Sequence, residues 1–443
     1  MADMRSEQER GLLSARGSKL IDEAGHRSFH DVLEDIYQPE HNPDGIVSLG
    51  LAENSLMHNE LLEFINNTPQ FKMSSHFLMY GDGSHGSKKL RAAVASFVNE
   101  HFNPALPVES KHVRVSLGVS NANEVMAFVL ANEGDGFLLG RPYYGAFVGD
   151  FWARAKVKTV GVAFGSTDPF SLEAVAKYEE ALLRSNNEGV PIKALVLCTP
   201  NNPLGCRCYS REVIVELMKL CQKYQIHLVS DEIYALSVWD NPEARDAPPF
   251  TSVLSIDTAG IIDPSLVHAM WGMSKDFGAN GLRIGYIIDQ HNPSFRESVR
   301  QISLLNYPAA PSDLLATAIL STPPFTTPYI ATNRTRIAAA YAFATDWLRA
   351  RDIAFAPGSN AGFFLWIDVG RALSRATGNK PYDHELFKKL LAEAKLSVAD
   401  ALAFGGEEVG WFRVVFTHGR GFMEMALGRL EGVMGRYVGE VGR

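Results

Sequence analysis

Cysteine is scarce in this 443-residue chain: Cys198, Cys206, Cys208 and Cys221 are the only four, all within one short segment. That is too few for a disulfide-stapled scaffold, and no zinc-type spacing completes a ligand set around the Cys206-x-Cys208 pair. Reduced, structural thiols and no metal are therefore expected. Positive charge is also in short supply, since 42 Lys and Arg against 50 Asp and Glu leave a formal net charge of −8. Such a chain lacks the basic footprint of a nucleic-acid binder, so no nucleic-acid partner is expected. No apolar run approaches membrane-spanning length, and no membrane partner is expected either. The opening stretch, Met1-Ala2-Asp3-Met4-Arg5-Ser6-Glu7-Gln8-Glu9-Arg10, is charged and has no apolar core of a secretory signal, which makes the cytoplasm the expected compartment. Internal repeats and low-complexity tracts are absent. With 46% hydrophobic and 21% charged residues the composition is that of an ordinary globular protein. Its length exceeds the usual size of one core, so a large domain and a smaller one are expected.

What is present is a lysine in informative company. Lys275 lies in Trp271-Gly272-Met273-Ser274-Lys275-Asp276-Phe277-Gly278, and Arg283 follows in Gly281-Leu282-Arg283-Ile284-Gly285. Small flanking residues let a bound ring approach the amine, and desolvation or a nearby cation makes a lysine amine nucleophilic enough for imine chemistry. Upstream, Leu195-Val196-Leu197-Cys198 reads as a short strand ending in the turn Thr199-Pro200-Asn201-Asn202-Pro203-Leu204-Gly205. Ser210 is a candidate N-cap for a helix carrying Val213, Leu217, Leu220, Cys221 and Tyr224 at helical spacing. A second strand, Ile226-His227-Leu228-Val229-Ser230, ends at Asp231-Glu232-Ile233-Tyr234. Together these form one βαβ unit whose strands finish on the same sheet edge, where open α/β sheets bind ligands. Asn202, Asp231, Tyr234 and Lys275 would meet there. An amide, a carboxylate, a phenol and an amine in one place are what a pyridoxal phosphate ring requires. The carboxylate keeps the ring nitrogen protonated, the amide and phenol bind the ring hydroxyl, and the amine forms the covalent link.

On these motifs the chain resembles the fold-type I pyridoxal-phosphate enzymes of the class I/II aminotransferase superfamily, and within it the 1-aminocyclopropane-1-carboxylate (ACC) synthase-like branch. The resemblance runs from about Gly45 to about Glu440. It implies an α/β fold of the fold-type I transferases: a large domain with a mostly parallel central sheet and a smaller α/β domain. It further implies pyridoxal 5'-phosphate as cofactor, with Lys275 as the Schiff-base lysine and Asp231 as partner of the ring nitrogen. Asn202 and Tyr234 become the partners of the ring hydroxyl, Arg283 a phosphate ligand, and Arg413, in Gly410-Trp411-Phe412-Arg413-Val414, the clamp for a substrate α-carboxylate. The strand end and helix start Ser116-Leu117-Gly118-Val119-Ser120-Asn121 is a natural anion site. By resemblance it holds the phosphate, so Val119, Ser120 and Asn121 are its candidates; Ser274, beside the lysine, is a further cofactor-binding candidate. Tyr144, in Arg141-Pro142-Tyr143-Tyr144-Gly145, matches the aromatic that stacks on the ring, whereas Tyr143 is expected in the core. Catalysis is expected of Lys275, Asp231 and Tyr234.

Three positions bear on which reaction follows. Glu53, in Gly50-Leu51-Ala52-Glu53-Asn54, matches the glutamate typical of the ACC synthase-like branch; it either acts at the side-chain end of the substrate or forms a salt bridge positioning the N-terminal segment. Ser84, in Tyr80-Gly81-Asp82-Gly83-Ser84-His85-Gly86, stands where ACC synthases supply a tyrosine to the neighbouring subunit, and Tyr80 is a candidate replacement. Gly272 stands where many relatives have a phosphate-binding serine. His85 and His418 are read as structural. The expectation is an aminotransferase acting on an α-amino acid, with a carbon–sulfur β-lyase of cysteine conjugates close behind and, because of Ser84, true ACC synthase third. A homodimer with shared active sites is expected, since relatives complete each site from a second chain. The expected organisation is an N-terminal segment over residues 1–79, joining the small domain and the subunit interface, a large cofactor-binding domain over 80–310 and a small C-terminal domain over 311–443. Within the last, a helix is predicted from Thr332 to Arg349, a strand over Gly362–Ile367, and an amphipathic helix carrying Leu386, Leu390 and Leu391.

Overall fold

The computed structural model describes residues 12–18, 29–69 and 71–442. Much of the polar N-terminal stretch, expected to drape over the small domain or a partner, lies outside the described residues.

The predicted βαβ unit forms as its sequence dictates. Strands Ile192–Cys198 and His227–Asp231 pair in parallel with Cys198 opposite Asp231, so both end on one edge. Between them runs helix Arg211–Tyr224. The Ser210 hydroxyl caps it by accepting from the Val213 N–H at 3.3 Å, and it buries Val213, Leu217, Leu220 and Cys221. Around this unit a seven-stranded sheet has the order Val113–Ser116, Gly285–Ile288, Val267–Gly272, His227–Asp231, Ile192–Cys198, Gly136–Gly140, Lys158–Val162. Gly285–Ile288 alone is antiparallel to its neighbours, so the sheet is mostly parallel and both faces are covered. A consequence decides where the chemistry sits. The C-terminal ends of six strands, and the entry to the reversed strand just after Arg283, all open on the same edge.

A smaller antiparallel sheet takes the order Ala399–Asp400, Trp411–Val415, Phe364–Asp368, Ala354–Phe355, with Arg413 opposite Trp366. Val47–Ser48 pairs with Leu396–Ser397, and Leu49 O accepts from the Val415 N–H at 2.8 Å, so the segment after Ser48 is led from the smaller sheet toward the edge of the larger one. The helix predicted to start at Thr332 begins earlier, spanning Pro323–Arg349. Pro323 and Pro324 occupy its first positions, where a missing N–H costs nothing.

Candidate active site

Lys275 follows strand Val267–Gly272 in a short helix, Met273–Asp276. The turn is pinned from below by its neighbour. The buried Asp276 carboxylate accepts from Trp271 Nε1 at 2.9 Å, Ser237 Oγ at 2.7 Å and the Leu236 N–H at 3.1 Å. Lys275 Nζ donates to Ala52 O at 2.6 Å, and Asn280 Nδ2 reaches the same oxygen at 3.2 Å, which joins the Gly50–Asn54 segment to the lysine loop. Burial lowers the Lys275 ammonium from its ordinary value to about 7; the Arg413 and Arg283 cations push the same way, and Glu53 and Asp231 oppose. An amine so placed gives up its proton around neutral pH, and the uncharged form is the nucleophile.

One cavity is lined by Val119, Ser120, Tyr144, Asn202, Asp231, Tyr234, Ser274, Lys275 and Arg283, nine of the residues predicted from sequence. Asp231 is buried at the end of its strand and accepts from the Ile233 N–H at 3.2 Å. Burial raises its carboxyl to about 7; Asp150 adds to the rise, while the Ile233 N–H and Lys275 oppose it. A carboxyl in that state ionises once a cation is brought against it, which fits the protonated nitrogen of a pyridine ring. Asn202 Nδ2 lies 3.4 Å from Tyr234 Oη, so amide and phenol converge as expected of partners for one ring hydroxyl. Tyr144 is half-buried on the cavity wall, and Tyr143 packs instead against Gly405.

The anion end is built from backbone. Gly118, at φ +79, caps helix Val119–Leu130, and a Cβ there would come within 2.6 Å of Arg283 Nη2. Arg283 itself takes a left-handed conformation, φ +49, held by bonds from its guanidinium to Asn280 O at 3.0 Å and Leu117 O at 3.2 Å. A non-glycine residue in that region is strained, and these bonds offset the strain and hold a cation against the N–H groups of a helix N-terminus. A phosphate fits this cradle. Asn121 does not line the cavity: its Oδ1 turns back to accept from the Leu117 N–H at 3.2 Å, so the side chain closes the turn and leaves anion contact to Val119 and Ser120. Gly272 has a packing reason, because a Cβ there would lie 2.9 Å from Ile284 O.

Arg413 is 3% exposed, and its guanidinium is sandwiched between Phe364 at 4.3 Å and Phe404 at 4.7 Å. Nη1 donates to Asn202 Oδ1 at 3.0 Å and Nη2 to Gly50 O at 2.5 Å. Nε has no partner, and no carboxylate lies within ion-pair distance among the described residues. A buried cation without an anion is costly unless a ligand supplies one. Glu53 is half-buried, with its backbone oxygen held by Thr417 Oγ1 at 2.9 Å, and its carboxylate acts electrostatically on Lys275. Ser84 faces inward, 6% exposed, with its hydroxyl 2.6 Å from that of Ser303. Tyr80 is 88% exposed beside Tyr307 and does not line this cavity, so it does not replace the missing tyrosine within one chain.

Sequence reasoning missed Asn123, Cys198, Ile233 and Asn280, which also line the cavity. Asn123 was accessible in principle, since it falls one helical turn after Val119 and Ser120.

Comparison with known proteins agrees with this geometry. Residues 45–430 match the family profile described as aminotransferase class I and II. A probable aminotransferase of Aspergillus oryzae, aclI, is 32% identical over 394 residues, covering 88% of this chain and 91% of that protein. A 1-aminocyclopropane-1-carboxylate synthase-like protein of Bos taurus is 31% identical over 438 residues, covering 95% and 83%. Among solved structures, an aspartate aminotransferase from Thermus thermophilus with maleate superposes with a TM-score of 0.72 at 19% identity, covering 95% of this chain and 99% of that one, which bears on the fold.

Proposed function

The chain belongs to the aminotransferase class I and II family, whose members are pyridoxal-phosphate-dependent, and from that premise we propose that it is an aminotransferase acting on an α-amino acid. The observation that carries this reading is a buried cation with no facing anion among the described residues, Arg413, bonded through Asn202 to the cavity that Lys275 lines. One can bind a carboxylate and the other can form and release a covalent link. The anion cradle of Val119, Ser120, Ser274 and Arg283 would hold the phosphate of pyridoxal 5'-phosphate, Asp231 its ring nitrogen, Asn202 and Tyr234 its hydroxyl, and Tyr144 its face. Bound there, the cofactor supplies an electron-accepting ring that stabilises negative charge at the substrate α-carbon.

The protein's own groups do the rest. Arg413 orients the substrate through its carboxylate, with Nε and the Nη atoms as a planar donor set. With the cofactor bound, Lys275 Nζ would be the base for the substrate α-proton and could deliver it at a different carbon. Asp231 keeps its negative charge in a dry site only while a cation faces it, so it favours the protonated ring. Glu53, close enough to act on Lys275, supports a second reading as a carbon–sulfur β-lyase, because a second base near the substrate side chain assists loss of a leaving group. Mixing the enzyme with single amino acids and no acceptor distinguishes the two. The aminotransferase yields one equivalent of 2-oxo acid per site and stops, whereas a lyase turns over and releases ammonia. Repeated turnover with ammonia would replace the first reading with the second.

The enzyme works as a homodimer in this reading, supported by the apolar side chains left open at Leu78, Met79, Tyr80, Leu304 and Leu305. An active species that sediments as a monomer at assay concentration would refute it.

A further inference from the structure

The face of helix Val119–Leu130 that begins with Val119 and Ser120 continues, one turn on, with Asn123. Asn123 is 1% exposed and lines the same cavity as Asp231. Its Nδ2 donates to Asp150 Oδ2 at 3.0 Å, while its Oδ1 is buried and has no partner among the described residues. Asp150 comes from the neighbouring helix, Ala146–Trp152, which begins two residues after the ring-stacking candidate Tyr144. An ionised carboxylate only accepts hydrogen bonds. It therefore takes the NH2 edge of the amide and leaves the carbonyl edge for the other side, where a buried acceptor without a donor is unfavourable.

We propose that Asp150 is a positioning residue of the cofactor site: by capturing the NH2 edge of Asn123, it turns the amide carbonyl toward the cavity as a second acceptor, beside Asp231, for a protonated ring nitrogen. This rests on the cofactor reading given above. The groups that act on Asp150 come from every element around it: Asn123 and Glu124 from the facing helix, Tyr144 from its own loop, Asp231 from the sheet edge, and Arg283 from the phosphate end. Glu124 is partly compensated by Arg154 at 3.5 Å. Burial raises the Asp150 carboxyl to about 7, against the pull of the Asn123 hydrogen bond and Arg283. At lower pH the carboxyl gains a proton, becomes a donor itself, and no longer dictates which amide edge faces the cavity.

The test compares the binding of pyridoxal phosphate with that of its analogue carrying CH in place of the ring nitrogen, using apo protein at pH 8. Asp150→Leu removes the acceptor and should weaken pyridoxal phosphate ~tenfold, the scale of one hydrogen bond to a charged group. The same variant should leave the analogue within about twofold of the wild type, because the analogue has no ring N–H to donate. Asp150→Asn, whose amide oxygen accepts the same bond, should recover part of the loss. Asn123→Leu should show the same nitrogen-dependent loss, and adding Asp150→Leu to it should cost nothing more, since Asp150 acts through Asn123. If Asp150→Leu fails to fold, Asn123→Leu makes the comparison alone. Equal losses for both ligands, or no loss for pyridoxal phosphate, would overturn the proposal. A wild type that binds neither ligand would overturn the cofactor reading, and this inference with it.

Discussion

Arg413→Lys separates substrate recognition from everything else the site does. The wild-type guanidinium spends Nη1 on Asn202 and Nη2 on Gly50 and keeps Nε free, all in one plane between Phe364 and Phe404. A carboxylate arriving at that plane forms a forked pair, a geometry that an ammonium cannot reproduce. Lysine preserves the positive charge, so the loss is one charged hydrogen bond, ~1.5–3 kcal/mol. At about 1.4 kcal/mol per factor of ten, kcat/KM should fall about ten- to 150-fold, mostly through KM, and for every amino acid tested. The assay is steady-state product formation, run beside the same substrates without their carboxylate. For those decarboxylated amines, wild type and variant should agree within about twofold, because no forked pair is at stake. A unchanged melting temperature of the holoenzyme guards against a packing effect at a residue so enclosed. Equal losses for amino acid and amine would show that Arg413 merely supports the fold, and an unchanged KM would remove it from substrate binding altogether.

The extent to which this site was legible in the sequence follows from which interactions are local. The βαβ unit declared itself because its cap, helical spacing and strand ends are set by near neighbours: Ser210, Val213 and Leu217, then Cys198 against Asp231. Once six strand ends share an edge, the residues just past them have little choice but to meet. Asn202, Asp231, Tyr234 and Lys275 do so. What stayed hidden depends on contacts between distant segments or on side-chain rotation. Asn121 and Ser120 are adjacent, and nothing in the sequence says that one caps its own turn while the other faces the cavity. The Asn123–Asp150 bond joins two helices, and the Asp276 carboxylate collects donors from a strand and a distant loop. Ser84 differs again. Its position in a glycine-rich turn was plain, but only the fold shows it turned inward onto Ser303, more than two hundred residues away.

The remaining expectations concern the lysine and its surroundings. Purified protein supplied with pyridoxal phosphate should be yellow, and borohydride should bleach the band while fixing the cofactor to Lys275; mass spectrometry of the digest locates it, and attachment elsewhere would refute the assignment. Lys275→Ala should lose that link and nearly all activity, and retention of turnover would remove the lysine from the chemistry. Capture of the cofactor aldehyde by apo protein should quicken with pH up to about 7 and then level off, because burial lowers the Lys275 ammonium to about 7 and the neutral amine is the reactive form; a rate still climbing steeply above pH 9 would refute it. Glu53→Gln then tests whether that carboxylate faces the reacting amine. Glu53 holds the Lys275 ammonium in its charged form against burial and the two arginines, so removing its charge should move the levelling-off to lower pH. The sign is fixed by electrostatics alone: a lost anion makes a nearby ammonium less stable, hence more easily deprotonated. The absorption of the loaded enzyme should stay as it was, since Glu53 does not line the cavity that would hold the ring. Preference among amino acids should change, because the same carboxylate would face the substrate side chain. An unmoved pH profile together with unchanged preference would remove Glu53 from the reacting amine and leave the lyase reading without its support.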